Sequence, residues 1–337
     1  KGSIYTLHSF LISLIFYSLL KLNYRNKYFY LLSFVLGLSI TNHWQSAIVV
    51  LPAIILFLFL SKYNLNIKRW VISSLFFLLG TSVFTFLFIR SYNNQNMLWV
   101  IKSIKDFLWL IGREQYFSAE ATRSISEIIK FFYYLFFNIL PKQYPYYLFL
   151  LLIPGIILLF KYNKSYCFVF ITVVLTMCFA IASKNILVAN FEWDVKPYLT
   201  FIYLFISVFI SFNFYYFFKN IKNKSIKIAI FFPIFVILIV LLYNNCPNYS
   251  KYFLAYDYTK NILKTLPENS IFFAEGDLNV MGNIYANNVE KNKNILIISA
   301  LLDHKWYRDY LKNNNPDIKI DNYFINHNEC IKKIILL

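Results

Sequence analysis

The stretch "SITNHWQSAIVVLPAI", Ser39 to Ile54, joins two long apolar runs through the polar residues Thr41, Asn42 and His43. Polar side chains cost free energy beside hydrocarbon, so they collect at the ends of membrane-spanning helices. The next connection along the chain is rich in lysine and arginine, whereas this one has no fixed charge. We therefore predict a tight helical hairpin whose bend lies at Thr41–His43, on the outer side of a membrane.

The composition supports a membrane protein. Of 337 residues, 59% are hydrophobic and 15% are charged, which is more apolar than one soluble core of this length can hide. Apolar runs suited to crossing about 30 Å of hydrocarbon recur through the first three quarters. They are Ile4–Leu20, Tyr28–Thr41, His43–Ser61, Trp70–Ile89, Tyr144–Phe160, Tyr166–Ser183, Pro197–Phe218 and Ile228–Tyr243. The predicted class is an α-helical polytopic membrane protein with about eight transmembrane helices.

The loops between the predicted spans alternate along the chain between purely basic and mixed charge. The formal net charge of +17 is concentrated in four loops without acidic residues, which marks them as cytoplasmic and argues against nucleic-acid binding. They contain Lys21, Arg25 and Lys27; Lys62, Lys68 and Arg69; Lys161 and Lys164; and Lys219, Lys222, Lys224 and Lys227. The loops at 90–143 and 184–196 mix both charges and are predicted to face outward. This alternation requires Ile128–Leu140 to lie in the outer interface instead of crossing the membrane.

The last quarter has a different pattern. "SIFFAEG" (Ser270 to Gly276) and "NILIISA" (Asn294 to Ala300) are typical of buried parallel strands, and three helical stretches flank them: Lys251–Leu266, Leu278–Val289 and His304–Leu311. We predict a transmembrane domain over residues 1–245 and a small extracytoplasmic α/β domain over 246–337. The turn at Glu275–Asp277 is interpreted as part of an accessory fold. A disulfide between Cys246 and Cys330 is left open.

Candidate binding residues gather at the predicted outer ends of the spans. At the hairpin, Asn42 and His43 either cap and anchor the following helix or supply hydrogen-bonding groups to an outer cavity. Arg90 closes a span and is either an anchor or a cation facing a ligand. His8, near the outer end of the first span, is interpreted as structural. The outer loops add further candidates, namely Arg113, Gln115, Tyr116, Glu192 and Asp194.

Other signatures of chemistry are absent from the sequence. There is no Walker A, HExxH, GxSxG or GxGxxG motif, and the four cysteines lack metal-ligand spacing. The sequence shows no evident cofactor and does not indicate a metal, and a divalent metal ion is left open.

Several blocks together resemble a bacterial polytopic membrane family related to the animal transmembrane O-mannosyltransferase of plexin-type receptors, within the GT-C glycosyltransferase superfamily. The blocks are "YTLHSF", "GLSITNHW", "IRSYNNQNMLWVIKSIKDFLWLIGREQYF", "FEWDVKPYLTF", "DYTKNILKTLPENSIFFAEGD" and "YANNVEKNKNILIISALLDHKWYRDYL". The resemblance implies sugar transfer, with mannose one candidate, from a polyprenyl-phosphate-linked donor to a protein or glycan acceptor. It also implies a multi-pass protein of the bacterial cytoplasmic (inner) membrane whose C-terminal domain is extracytoplasmic.

The chain departs from that family at three places. The acidic catalytic residue of GT-C enzymes lies in a first outer loop, which we expect upstream of Lys1, so the catalytic residue is unknown and the chain is expected to be a fragment. The segment Asn96–Lys102 replaces a family block, and Leu278 replaces an acidic residue. The alternative function is a non-catalytic transporter or binding scaffold for lipid-linked saccharides.

Overall fold

The long apolar runs form helices, because backbone groups inside hydrocarbon must be paired within their own segment. The computed structural model describes residues 3–61, 63, 66–93, 101, 103–112, 124–139, 149–183, 199–245, 253–289, 294–302, 304–316 and 331. The described residues form two units that divide after Ile230, a helical unit and a second unit. The helices of the helical unit are α1 (Ser3–Leu22), α2 (Lys27–Leu60), α3 (Ile67–Thr81), α4 (Thr85–Asn93), α5 (Ile104–Gly112), α6 (Ile125–Tyr134), α7 (Leu152–Tyr162), α8 (Lys164–Ala182) and α9 (Leu199–Asn220). A further helix, α10 (Lys224–Asn245), contains the division.

Helix α2 folds back on itself at His43. It has 34 residues, and a straight helix of that length would hold its ends roughly 50 Å apart. Instead, the Tyr63 hydroxyl just beyond one end donates a hydrogen bond to Asn26 Oδ1 just before the other, at 2.9 Å. His43 has an extended backbone (φ −156°, ψ 81°) and separates a first arm of α2, residues 27–42, from a second arm, residues 44–60. The predicted hairpin and the position of its bend are therefore confirmed.

The four basic loops lie at one end of the helical unit, opposite His43. The contact between Asn26 and Tyr63 joins the first loop to the second. The stacked rings of Phe57 and Tyr166, 6.0 Å apart, join the end of α2 to the start of α8. Tyr162 and Tyr215, 6.2 Å apart, join the end of α7 to the last turns of α9. The four positively charged loops therefore lie at the same end of the helical unit, as the charge pattern predicts.

Two glycines set the distance between the first arm of α2 and α3. A Cβ atom on Gly37 would lie 2.5 Å from the carbonyl oxygen of Phe77, and one on Gly80 would collide with the carbonyl oxygen of Phe34. Small residues allow such close backbone contact, which is a common way to pack helices in membranes. Because Phe29 contacts Trp70 at 5.9 Å and Gly37 meets Gly80, the two helices run parallel.

Among the described residues, four helical segments are long and apolar enough to cross a membrane: Lys27–Leu60, Ile67–Tyr92, Lys164–Ala182 and Leu199–Asn220. Two shorter apolar helices are Thr6–Leu22 and Leu152–Tyr162. The eighth predicted span coincides with α10, whose side chains are described only in part. The total of eight spans stays a prediction.

Helix α6 begins three residues earlier than predicted. Its start at Ile125 is set by a capping box, in which Glu127 Oε2 accepts the Ser124 amide at 2.9 Å and Ser124 Oγ accepts the Glu127 amide at 3.4 Å. The helix continues as a π-helical turn over Leu135–Ile139. Phe131 and Leu135 are buried in the core of the helical unit. Its position at a membrane interface remains a prediction.

The second unit contains two parallel strands, β1 (Ile271–Ala274) and β2 (Ile295–Ile298), paired from Ile271 with Ile295 to Ala274 with Ile298. The helix between them is α12 (Gly276–Val289), and the flanking helices are α11 (Leu254–Thr265) and α13 (Lys305–Asn314). The buried Tyr307 of α13 accepts the amide hydrogen of Ile298 at 2.7 Å. Burial raises the pKa of that hydroxyl, so it stays protonated. Both predicted strands and their parallel direction are confirmed, whereas an extracytoplasmic domain over 246–337 stays a prediction.

The structure describes two of the four cysteines. Cys167 and Cys178 are buried free thiols inside α8. Cys246 and Cys330 lie outside the described residues, so the disulfide between them is not tested.

Candidate functional site

His43 begins the second arm of α2 as its N-cap. The backbone amide of Ser46, three residues later, donates to His43 Nδ1 at 3.4 Å, and Ser46 Oγ lies 2.9 Å from the same nitrogen. An extended residue whose side chain accepts the amide hydrogen three residues on is the geometry of a helix cap. The capping role that the sequence suggested for Asn42 therefore belongs to His43. Asn42 is the residue before it, at the end of the first arm.

A second histidine contacts this cap. His8, on α1, is fully buried, and its ring centroid lies 5.5 Å from that of His43. Its Nδ1 lies 3.4 Å from the hydroxyl of Ser39, which is buried on the first arm of α2. Its Nε2 has no hydrogen-bond partner in the part of the chain that the structure describes. A buried polar atom in that state is uncommon and marks a position that a ligand could satisfy.

The start of α9 joins the same cluster. The rings of Phe201 and His8 form an edge-to-face contact, with their centroids 4.8 Å apart. Three elements that are distant in sequence, namely α1, the bend of α2 and the first turn of α9, thus meet around one imidazole. In the sequence, "FEWDVKP" directly precedes α9, so the predicted acidic loop is attached to an element of this cluster.

Arg90 lies at the same end of the helical unit. The parallel helices cross at Gly37 and Gly80, and His43 lies six residues past the first whereas Arg90 lies ten residues past the second. At about 1.5 Å per residue, Arg90 is roughly one helical turn beyond the level of His43. Its side chain is exposed in the last turn of α4. Arg90 and His43 therefore lie at the same end of the helical unit.

The remaining predicted site residues cannot be placed. Arg113, Gln115, Tyr116, Glu192 and Asp194 lie outside the described residues. Among the residues that are described, no group of three or more histidine, cysteine or acidic side chains is arranged to hold a metal ion. The described arrangement is a set of hydrogen-bonding side chains at the bend of α2, and the Arg90 guanidinium lies at the same end of the helical unit.

Sequence reasoning missed several members of the cluster. It interpreted His8 as structural, which stays a prediction, and it did not single out Ser39, Ser46 or Phe201. A signal for the serines was present, since Ser39 and Ser46 flank the polar junction at Thr41–His43 in the sequence. No local signal connects them to Phe201, which is more than 150 residues away.

The fold and the site together define a class, a helical membrane protein with a polar cluster where two of its apolar segments turn. Residues 1–67 match the family model described as "Protein O-mannosyl-transferase TMEM260 N-terminal domain". This part of the chain is therefore related to that O-mannosyltransferase family. No curated protein and no solved structure shows detectable similarity to the chain.

Proposed function

We propose that this chain is part of a membrane glycosyltransferase of the GT-C type. It would transfer a sugar, with mannose the leading candidate, from a polyprenyl-phosphate-linked donor to a protein or glycan acceptor outside the membrane. The observation that carries the proposal is that the match to the O-mannosyltransferase family covers α1 and α2, the two helices that hold His8 and His43. The matched region and the polar cluster are the same part of the molecule.

Such a transfer requires two kinds of group. A carboxylate deprotonates the acceptor hydroxyl, and cationic or hydrogen-bonding groups stabilise the departing phosphate. We assign the second role to Arg90 and His43, which lie at one end of the helical unit. Asn42, Arg113, Gln115, Tyr116, Glu192 and Asp194 are proposed to line the donor or acceptor surface. The catalytic base is not assigned.

The proposal places the His43 end of the helical unit on the outer side of a bacterial cytoplasmic membrane and the basic loops inside. A cysteine introduced at Lys222 should then react with a membrane-impermeant maleimide only after the membrane is permeabilised. A cysteine at Asn269, in the second unit, should react in intact cells. Labelling is measured in a background from which the native cysteines have been removed. The opposite pattern would reverse the proposed orientation.

Arg90 is expected to bind the donor phosphate through the plane of its guanidinium. Arg90→Lys keeps the charge that a membrane anchor needs but loses the bidentate fork, so donor use should weaken by roughly 1 to 3 kcal/mol while insertion is normal. The measurement is the sugar-transfer rate against the concentration of polyprenyl-phosphate sugar in the full-length protein.

Arg25→Lys, at the basic end of the helical unit, is the matched control and should leave the titration unchanged. If Arg90→Lys follows the parent titration and Arg90→Ala only lowers expression, Arg90 is an anchor. If the parent protein binds the donor but transfers no sugar, the non-catalytic scaffold replaces the enzyme.

A further inference from the structure

Helices α7 and α8 form a tight hairpin at the basic end of the helical unit. Only Asn163 separates them, and its side chain caps α8 by accepting the Tyr166 amide at 3.1 Å. The thiol of Cys167 on α8 donates to the carbonyl oxygen of Ile156 on α7 at 3.6 Å, so the two helices lie side by side after the turn.

Each helix of the hairpin exposes an apolar stripe. The exposed residues are spaced at i, i+4 and i+7 on α7 and at i, i+7 and i+11 on α8, which puts each set on one helical face. The two stripes meet where the rings of Phe160 and Phe168 form an edge-to-face contact, with their centroids 5.8 Å apart. Helix α8 is long and apolar enough to cross a membrane, so these stripes suit the acyl chains of a lipid. The stripe residues are Ile153, Ile157 and Phe160 on α7 and Phe168, Leu175 and Phe179 on α8.

A lysine lies where the two stripes meet. Lys164 Nζ is 5.4 Å from the centroid of the Phe160 ring, and the Lys164 side chain is exposed. An aromatic ring stabilises an ammonium group from one side, and the N–H groups that point elsewhere can still donate to an anion. Lys161, at the end of α7, is exposed as well.

The loops at this end supply no carboxylate to neutralise the lysines, because none of the four contains an acidic residue. The contact between Tyr162 and Tyr215 brings the loop after α9 to the same end, where Lys219 lies 6.0 Å from the Tyr215 ring. A surface that is basic at its edge and apolar along its helices matches a ligand with a negative headgroup and acyl chains. Free phosphate has the charge but no apolar part to cover the stripes.

We propose that the α7–α8 hairpin binds an anionic phospholipid of the membrane, with the lipid phosphate at Lys164 and the acyl chains along the two stripes. This site goes beyond the proposed function. It lies at the basic end of the helical unit, opposite His43, and is therefore separate from the proposed donor site.

The test measures lipid binding to the purified full chain by native mass spectrometry. Phosphatidylglycerol is the anionic probe, and phosphatidylethanolamine, which has a phosphate but no net charge, is the comparison lipid. Lys164→Gln removes the charge and Lys164→Arg keeps it. Lys68→Gln, which removes one exposed charge from another basic loop, is the matched control.

We expect the parent to prefer phosphatidylglycerol and Lys164→Gln to weaken that binding by about fivefold or more, because one lysine beside anionic lipid contributes about that factor. Binding of phosphatidylethanolamine should not change. Lys164→Arg and Lys68→Gln should both stay within about twofold of the parent, since the first keeps the charge and the second lies outside the hairpin.

Four results would overturn the inference. Equal binding of the two lipids by the parent would contradict a preference for an anionic headgroup. Unchanged phosphatidylglycerol binding in Lys164→Gln would remove the role of Lys164. An equal loss in Lys164→Gln and Lys68→Gln would replace the hairpin site with an effect of total charge. Displacement of the lipid by an equal concentration of glycerol phosphate would show that the stripes contribute nothing.

Discussion

Replacing Gly80 with leucine is expected to prevent the helical unit from folding, with a loss of about 3 kcal/mol or more in the free energy of unfolding. Any Cβ at Gly80 collides with the carbonyl oxygen of Phe34 and lies 2.9 Å from the backbone nitrogen of Leu38. These are backbone atoms of a helix, which cannot rotate away as the tip of a side chain can. The two helices would have to separate along their whole contact.

The measurement is the melting temperature and the monodisperse yield of the detergent-purified protein. Ser74→Leu is the matched control, because it introduces the same leucine side chain at an exposed position of the same helix. Gly80→Ala should already lower the melting temperature, since its single methyl group occupies the colliding position. A Gly80→Leu protein that is as stable as Ser74→Leu would contradict the close crossing of α2 and α3.

Replacing His43 with asparagine is expected to abolish most sugar transfer while the fold persists. Asparagine is a favourable N-cap, so its Oδ1 can accept the Ser46 amide that His43 Nδ1 accepts now. It cannot supply the imidazole ring that contacts His8. Losing a hydrogen bond to a charged phosphate should cost roughly 1.5 to 3 kcal/mol, about a 10- to 100-fold drop in transfer.

The experiment measures transfer and melting temperature in the full-length protein. Asn163→Ser exchanges one favourable cap for another at the basic end, where Asn163 accepts the Tyr166 amide at 3.1 Å, and should alter neither quantity. His43→Leu should lose about 1 kcal/mol of stability as well, because the cap is gone. If His43→Asn transfers sugar as fast as the parent, His43 acts only as a helix cap and has no role in transfer.

Much of the architecture could be predicted from local properties of the chain. The hairpin bend at His43 follows from a polar junction between two apolar runs, and the grouping of the basic loops follows from their charge. The strands beginning at Ile271 and Ile295 were recognisable because short β-branched runs next to helical patterns indicate a parallel sheet. Among the described residues, the structure moves the start of α6 from Ile128 to Ile125 and assigns the helix cap to His43 instead of Asn42.

The candidate site was predictable only in part. Sequence reasoning found Asn42, His43 and Arg90 because polar groups beside hydrocarbon are conspicuous. It took His8 for a structural residue, since a lone histidine near a helix end has no visible partner. The contact between His8 and His43 joins residues 35 positions apart and depends on how α1 packs against α2, so no local pattern shows it.

The sequence by itself determined which segments are helices, where α2 reverses, and which loops share an end, since these depend on hydrophobicity, polarity and charge along a short stretch. Only the tertiary structure decided which faces of the helices touch: Gly37 against Gly80, Tyr63 against Asn26, and His8 against His43. The physical reason is that these helices are apolar nearly all round. Such a helix carries no strong amphipathic pattern to show which side faces a neighbour, so its rotation is set by packing and by the few polar contacts that packing allows.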